Sequence, residues 1–493
     1  MTKRIGFGAV IALVACLALP GVALAQGGAG IGVVETVKGE LDITWVMVAC
    51  VLVLLMQAGF LLLEIGFSRQ KNVGAGVAKV LVNLAVVTLA WWAVGFGISS
   101  LTGNTIFGTE GFFFHSGQLI ADAPVGGAET ALMLFGMLFC AVSLAIVWGT
   151  TLERIRFGAY VIYAAVFGAI IYPLVAHGVY GGGLLADIGG KPVMDFAGSS
   201  VVHLTGAVGA LAALLLLGPR IGKYGADGRA RAIPGHSMPL VGLGVAILWV
   251  GWYGFNAGST FGTSDNFMAE VALNTQLAAA AGVLGACAVV YMKTRSLDVG
   301  MAGNGAIAGL VAITAPSGYV EFWAAPIIGL VGGVIVVYGV YAIDKRLDDP
   351  VGALSAHGLA GIWGTLAVGL FASDRLILDG AAPGVWYGIF GDAEFGSSIG
   401  QFAVQAVGVA ATFALVFSLS YLTFFAIKKT IGLRVSDDEE QAGLDISSHG
   451  MYGLPEAFIP PEEYPGSDHR VPAPAASSTA TARALAADRP SEA

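Results

Sequence analysis

The sequence predicts an all-α polytopic membrane protein: eleven transmembrane helices, arranged as an inverted five-helix repeat plus one extra helix. Three observations predict it. The 493 residues are 56% hydrophobic and only 12% charged, with a mean hydropathy of +0.79, whereas a soluble globular domain carries roughly 25% charged residues. The apolar runs are continuous and about 20 residues long, which suits helices crossing a hydrocarbon core and not the alternating ten-residue strands of an outer-membrane barrel. Finally, loops rich in Lys and Arg alternate with loops almost free of them. Glycine is abundant at 72 residues, as expected where helices pack closely in a bilayer.

The first 25 residues read as a secretory signal. Lys3 and Arg4 precede an apolar run from Ile5 to Leu19, and Ala23-Leu24-Ala25 forms a small-residue cleavage site before Gln26. The alternative is an uncleaved first span. A signal places the mature N-terminus outside the cytoplasm.

Eleven apolar segments follow, starting near Ile43, Ala75, Ala128, Phe157, Gly198, Ser237, Ala269, Met301, Glu321, Ser355 and Ile399. The eighth is short and is bounded by Pro316. The loops after the odd-numbered spans carry Arg69 and Lys71; Arg154 and Arg156; Arg220, Lys223, Arg229 and Arg231; Lys293 and Arg295; Lys345 and Arg346; and Lys428, Lys429 and Arg434. The intervening loops carry only Lys191 and Arg375. By the positive-inside rule, the odd loops and the C-terminus face the cytoplasm and the N-terminus faces out. The opposite loops hold Glu110, Asp122, Asp187, Asp265, Asp374, Asp379, Asp392 and Glu394. Such residues are ordinarily just solvated, and together they attract cations to that mouth.

The membrane domain is therefore expected over residues 26–427, with a cytoplasmic C-terminal segment over 428–454. From 455 to 493 the composition turns to Pro, Ala, Ser and Thr, as in a disordered tail. Of the four cysteines, Cys16 falls in the signal, and Cys50, Cys140 and Cys287 fall in apolar spans. They read as small buried side chains, not as a disulfide framework.

Two histidines carry the chemistry. His203 lies in "DFAGSSVVHLTGAVG" and His357 in "DPVGALSAHGLAGIWG". Asp195 precedes the first and Asp349 the second, each by eight residues. One histidine falls in span five and the other in span ten, the corresponding positions of two five-helix halves of opposite orientation. Such a repeat brings matched residues together near the bilayer midplane, where transporter sites form. With about 1.5 Å of rise per residue, each His is expected about 12 Å into its helix from the Asp. Two structural histidines are the plainer alternative. No metal or cofactor is expected, because two imidazoles are too few ligands and no nearby Cys or Glu completes a set. Nor is an enzyme, since HExxH and P-loop motifs are missing, and "GGKP" at Gly189 lacks the spacing of a phosphate loop.

"DFAGSSVVHLTGAVG", "ERIRFGAY", "GWYGFNAGS", "DDPVGALSAHG" and "GLRVSDDEEQAGLDISSHG" occur in that order. With them the chain, from about residue 40 to 452, closely resembles the ammonium transporter (Amt/Mep/Rh) family, and its bacterial branch more than the Rh branch. The resemblance implies a homotrimer of eleven-helix subunits in the bacterial inner membrane, with a pore through each. By motif, His203 and His357 match the paired pore histidines. Asp195 matches the acidic residue beneath the outer recruitment site, and Ser259 the serine that bonds ammonium there. Phe139 and Phe255 match a stacked phenyl gate, while Phe135 and Trp252 would line the outer vestibule. Tyr180, in "HGVYGGGLL", stands where the family usually has Trp. The C-terminal motif resembles the segment that couples to PII-type regulators.

These residue types suit ammonium. An aromatic face holds a compact cation with roughly 0.5–2 kcal/mol, and a serine hydroxyl accepts one of its four N–H bonds. Phe139, Phe255 and Trp252 could equally be core packing, and Ser259 a helix-to-helix bond. Asp195 either holds the cation directly or caps the start of span five, the reading that "DFAG" favours. The expected function is recruitment of ammonium outside, its deprotonation, and conduction of ammonia, with or without the proton, past the two histidines into the cytoplasm. A carrier of another small amine and an ammonium sensor signalling through its tail are the alternatives.

Overall fold

A computed structural model describes residues 29–114 and 125–458. The predicted signal peptide, and almost all of the predicted 455–493 tail, lie outside the described residues. Among the described residues eleven long helices run in order: α1 (Ala29–Phe67), α2 (Gln70–Ser99), α3 (Val125–Thr150), α4 (Phe157–Tyr180), α5 (Ser199–Leu217), α6 (Met238–Thr260), α7 (Phe267–Thr294), α8 (Val299–Thr314), α9 (Ala324–Ile343), α10 (Leu354–Phe371) and α11 (Phe395–Thr430). Ten are long and apolar enough to cross a bilayer. The exception is α8, with 16 residues. It is short because it is enclosed: nearly all of its side chains are buried between α6, α7, α9 and α10.

The fold is the inverted repeat that the histidine spacing implied. The first helices of the two halves, α1 and α6, pack along much of their length, and their last helices, α5 and α10, meet at the centre. Close approach of α1 and α6 depends on missing side chains. A Cβ on Gly251 would lie 2.2 Å from Met56 Cγ, and one on Gly59 would lie 2.7 Å from Leu248 Cγ. Small residues let helix backbones meet where the lipid supplies no hydrophobic drive. The extra helix, α11, packs on α5 and α10.

The basic loops share one face and are interlocked there. Glu153 accepts from the backbone N and Nε of Arg69 and pairs with Arg220 at 3.6 Å. Arg220 clamps Asp348 with its backbone N, Nε and Nη2 at 2.8–2.9 Å, and Arg154 donates to the carbonyl of Asp348. Burial opposes ionisation of Asp348, but the Arg220 hydrogen bonds and the Arg154 charge outweigh it and hold the carboxyl at about 2.

Beyond α11 the chain folds back over this face. Two short helices, α12 (Asp437–Ala442) and α13 (Leu444–His449), follow a turn at Gly432. Ser436 and Glu439 form a capping box at the start of α12. Glu440 is buried, accepting from Ile221 N and Arg434. Asp445 accepts from Gly74 N, Ala75 N and Gly453 N. At the opposite face, Arg375 bridges Glu270 and Glu321.

Candidate functional site

Both histidine helices begin the same way. Asp195 Oδ1 accepts from the backbone N–H groups of Gly198 and Ser199, and Oδ2 from those of Ser200 and Val201, all at 2.8–3.0 Å. In the second half Asp349 accepts from Gly352 N and Leu354 N. Three residues after each Asp stands a glycine with positive φ, Gly198 at 113° and Gly352 at 75°. L side chains rarely adopt this conformation. Each glycine leads into a π-helical turn, Ser199–Leu204 or Leu354–Leu359, which carries the histidine. The Asp-x-x-Gly spacing was present in both halves of the sequence, and its meaning becomes plain only with these dihedrals.

The geometry corrects one expectation. Helix α5 starts at Ser199, not at Asp195, so the helical rise from its start to His203 is only about 6 Å. His203 is nonetheless deep, because the non-helical segment before α5 enters the protein interior. There Gln405 of α11 accepts from Met194 N and donates to Met194 O, and Gln401 donates to Pro192 O.

His203 and His357 meet with Nδ1···Nδ1 at 3.3 Å and ring centroids 5.2 Å apart. One ring must donate and the other accept, and either tautomer assignment satisfies the contact. His203 is fully buried, and its Nε2 has no hydrogen-bond partner among the described residues. His177 provides the contrast. Both its ring nitrogens bond backbone carbonyls, those of Ser100 and Asn104, so it serves to hold the end of α4.

Above His203, Phe139 and Phe255 stack face to face, with centroids 3.9 Å apart and planes inclined by 7°. Phe135 packs on Phe139 at 4.3 Å and on Phe261 at 5.4 Å. Ser259 lies one helical turn beyond Phe255 and donates its hydroxyl to the Phe255 carbonyl at 2.8 Å, which leaves its oxygen lone pairs as acceptors. Tyr180 ends α4 and is 41% exposed.

Trp252 departs from its expected position in an outer vestibule. It is 0% exposed, stacks on His203 at 5.1 Å and donates Nε1–H to Thr314. Because α6 runs toward the acidic-loop face, lower residue numbers lie deeper. Ser259, Phe255 and Trp252 therefore descend in that order. Asp195, grouped with the substrate-binding residues by motif, has both oxygens committed to backbone N–H groups.

Sequence reading missed a cavity beneath the histidines, lined by Phe60, Leu63, Glu64, Gly149, Asn304, Val351 and His357 among others. Glu64 and Lys79 are buried charged residues within α1 and α2. Isolated charges inside apolar runs were the available signal. Among the described residues no group of three or more His, Cys, Asp or Glu side chains is placed to hold a metal ion.

An inverted-repeat helical bundle with a narrow polar pair at its centre, under an aromatic plug, defines a membrane transport protein. The comparisons with known proteins name the kind. Residues 44–454 match the model of the Ammonium Transporter Family, and the chain belongs to that family, whose members are transporters and not enzymes. It is 41% identical over 456 residues to ammonium transporter Amt2 of Archaeoglobus fulgidus, covering 90% of this chain and 95% of that one. With an ammonium transporter of Bacillus subtilis it shares 34% identity, covering 83% and 97%. Among solved structures, one titled "Sensor Amt Protein" superposes with a TM-score of 0.77 at 35% identity, covering 84% of this chain and 99% of that one. Mep2 of Candida albicans gives 0.70 at 28% identity, covering 81% and 87%.

Proposed function

We propose that this protein takes ammonium from the acidic-loop side, removes its proton at the aromatic plug, and conducts ammonia past His203 and His357 to the basic-loop side. The observation that carries this reading is the imidazole pair, buried in contact beneath the stacked phenyl rings. Ser259 and Tyr180, with the faces of Phe135 and Phe139, form the recruitment site. Phe139 and Phe255 are the gate, which the ammonium must part. Trp252 acts from below, shaping the wall at His203.

The energetics favour deprotonation. Moving a bare cation through an apolar conduit costs on the order of tens of kcal/mol. Removing its proton costs about 1.4 kcal/mol for each unit between pH and pKa. Neutral ammonia then needs only weak hydrogen bonds, which a neutral imidazole gives as donor or acceptor. Asp195 serves this path by fixing the turn that carries His203.

The basic face is the cytoplasmic one, with the N-terminus outside and the C-terminus inside a bacterial inner membrane. We assign a homotrimer and nitrogen uptake by family membership, and a PII-type regulator as partner of the docked segment after Val435. A second reading, an ammonium sensor signalling through that segment, is favoured by the likeness to the sensor Amt structure.

The test is flux and current across proteoliposomes under an ammonium gradient. Wild-type protein should move ammonium selectively, and the His203→Ala/His357→Ala double variant should lose that selective flux while staying folded. Wild-type flux with unchanged selectivity in the double variant would return both histidines to a structural role.

A further inference from the structure

Glu64 is the buried group that the transport path, as described so far, leaves unused. It is 1% exposed, and neither carboxylate oxygen has a hydrogen-bond partner among the described residues. It stands one turn after Phe60 on α1, and both line the cavity that also holds His357. The cavity exists there partly because residue 149 is glycine. A Cβ at Gly149 would lie 3.8 Å from Glu64 Oε1 and 2.9 Å from Val351 Cγ2. An unpaired carboxylate at membrane depth is costly and marks a functional position.

Its charged surroundings are specific. Lys79 of α2, itself buried, interacts electrostatically with Glu64, yet no ion pair joins them among the described residues. Glu153 and Arg154 act on Lys79 from the α3–α4 loop. Tyr160 faces the same region from α4, with its hydroxyl committed to the Lys79 carbonyl. Lys79 thus lies near enough to favour a charge on Glu64 without occupying its oxygens, which remain open to the cavity.

We propose that Glu64 is the proton carrier of the inner half of the path, receiving from the histidine pair the proton that ammonium gives up and releasing it on the basic-loop side. The inference rests on the transport reading above. The transfers balance. An N–H bond of ammonium breaks and a bond forms at His203 Nε2, the ring nitrogen without a partner. The Nδ1–H of His203 passes to Nδ1 of His357 across their 3.3 Å contact. His357 then gives up its Nε2–H, and an O–H bond forms on Glu64. Water or ammonia at the basic-loop mouth takes that proton, restoring the carboxylate. The two rings are left in exchanged tautomers, and water exchanges their ring protons back, one N–H bond broken and one formed on each ring, before the next ammonium enters. One positive charge crosses with each ammonia.

The test uses the full-length protein in proteoliposomes, measuring ammonium-evoked current and nitrogen-isotope uptake on the same preparation. Glu64→Gln and Glu64→Leu are the variants. Glu64→Leu is made together with Lys79→Met, because removing one partner alone leaves a buried charge uncompensated, whereas apolar replacement of both is often neutral. The charge moved per nitrogen should fall about a hundredfold, the scale of a lost proton-transfer group, while nitrogen uptake persists. Independently, infrared difference spectra of wild-type protein should show a protonated carboxyl band that changes on adding ammonium. A wild-type current-to-uptake ratio in either variant, or no carboxyl band responding to ammonium, overturns the role of Glu64 alone. Wild-type uptake without current also overturns it and leaves ammonia conduction standing. Wild-type protein that moves no ammonium nitrogen overturns both readings.

Discussion

Replacing Asp195 by Asn separates its two possible roles. Each carboxylate oxygen of Asp195 accepts two backbone N–H groups, Gly198 and Ser199 on one, Ser200 and Val201 on the other. Asn keeps one acceptor oxygen and turns an NH2 group toward the other two donors. A buried donor left unsatisfied costs about 1–3 kcal/mol, so two cost about 2–6 kcal/mol. Loss of the negative charge at a helix N-terminus adds up to about 2 kcal/mol. Asp349 brackets the start of α10 in the same way, with Gly352 N on Oδ1 and Leu354 N on Oδ2, so Asp349→Asn should also destabilise through unmet donors. Denaturant titration in detergent, read by tryptophan fluorescence, gives both numbers. Transport by Asp195→Asn should fall with stability, since His203 N bonds the carbonyl of Gly198 within the same turn. An Asp195→Asn protein of wild-type stability with weakened ammonium affinity would refute this account and make the carboxylate a direct ligand.

Three further outcomes are expected. Tyr180→Ala should weaken half-saturation by ammonium about fivefold, roughly 1 kcal/mol of lost cation–π attraction, and Tyr180→Trp should match or tighten it, as saturation curves will show. Asp348→Asn should lose about 2 kcal/mol of stability near neutral pH, from a carboxyl held at about 2 against an ordinary value of 3.8. Because the folded pKa is depressed, that contribution is complete above about pH 4 and disappears as pH falls toward 2, so unfolding curves of wild type and variant should converge in acid. Truncation after Val435 removes the contacts of Glu440 with the loop before α6 and of Asp445 with the first turns of α2; it should alter flux or its response to a PII-type regulator, and flux identical in both conditions would count against a regulatory segment.

The number of spans and their orientation relative to one another could be read from local chemistry. Each apolar run is bounded by its own polar residues, and each basic loop reports its side without reference to the rest of the chain. Even the short α8 announced itself through Pro316. The paired histidines were legible for a different reason: an inverted repeat writes the same spacing twice, and Asp195–His203 matches Asp349–His357.

Depth and partnership were not legible in the same way. Trp252, Phe255 and Ser259 were recognised as a group, but their order along the path follows from the direction of α6, and Trp252 proves to lie against His203 instead of at the mouth. The rise from Asp195 to His203 was overestimated because the first residues after the Asp are not helical. The carboxylate bracket holds the N–H of Gly198 and three N–H groups of the π turn after it, a geometry that propensity does not signal.

By itself, then, the sequence determined a membrane protein of eleven helices with two matched polar positions, because hydropathy, loop charge and repeat spacing are properties of residues taken singly or in order. Only the tertiary structure decided what those positions meet. The 3.3 Å contact between His203 and His357, the phenyl stack above it and the unpaired carboxylate of Glu64 below join residues from α1, α3, α5, α6 and α10. Such contacts depend on how helix backbones approach, and at Gly59 and Gly251 that approach is set by side chains that are missing.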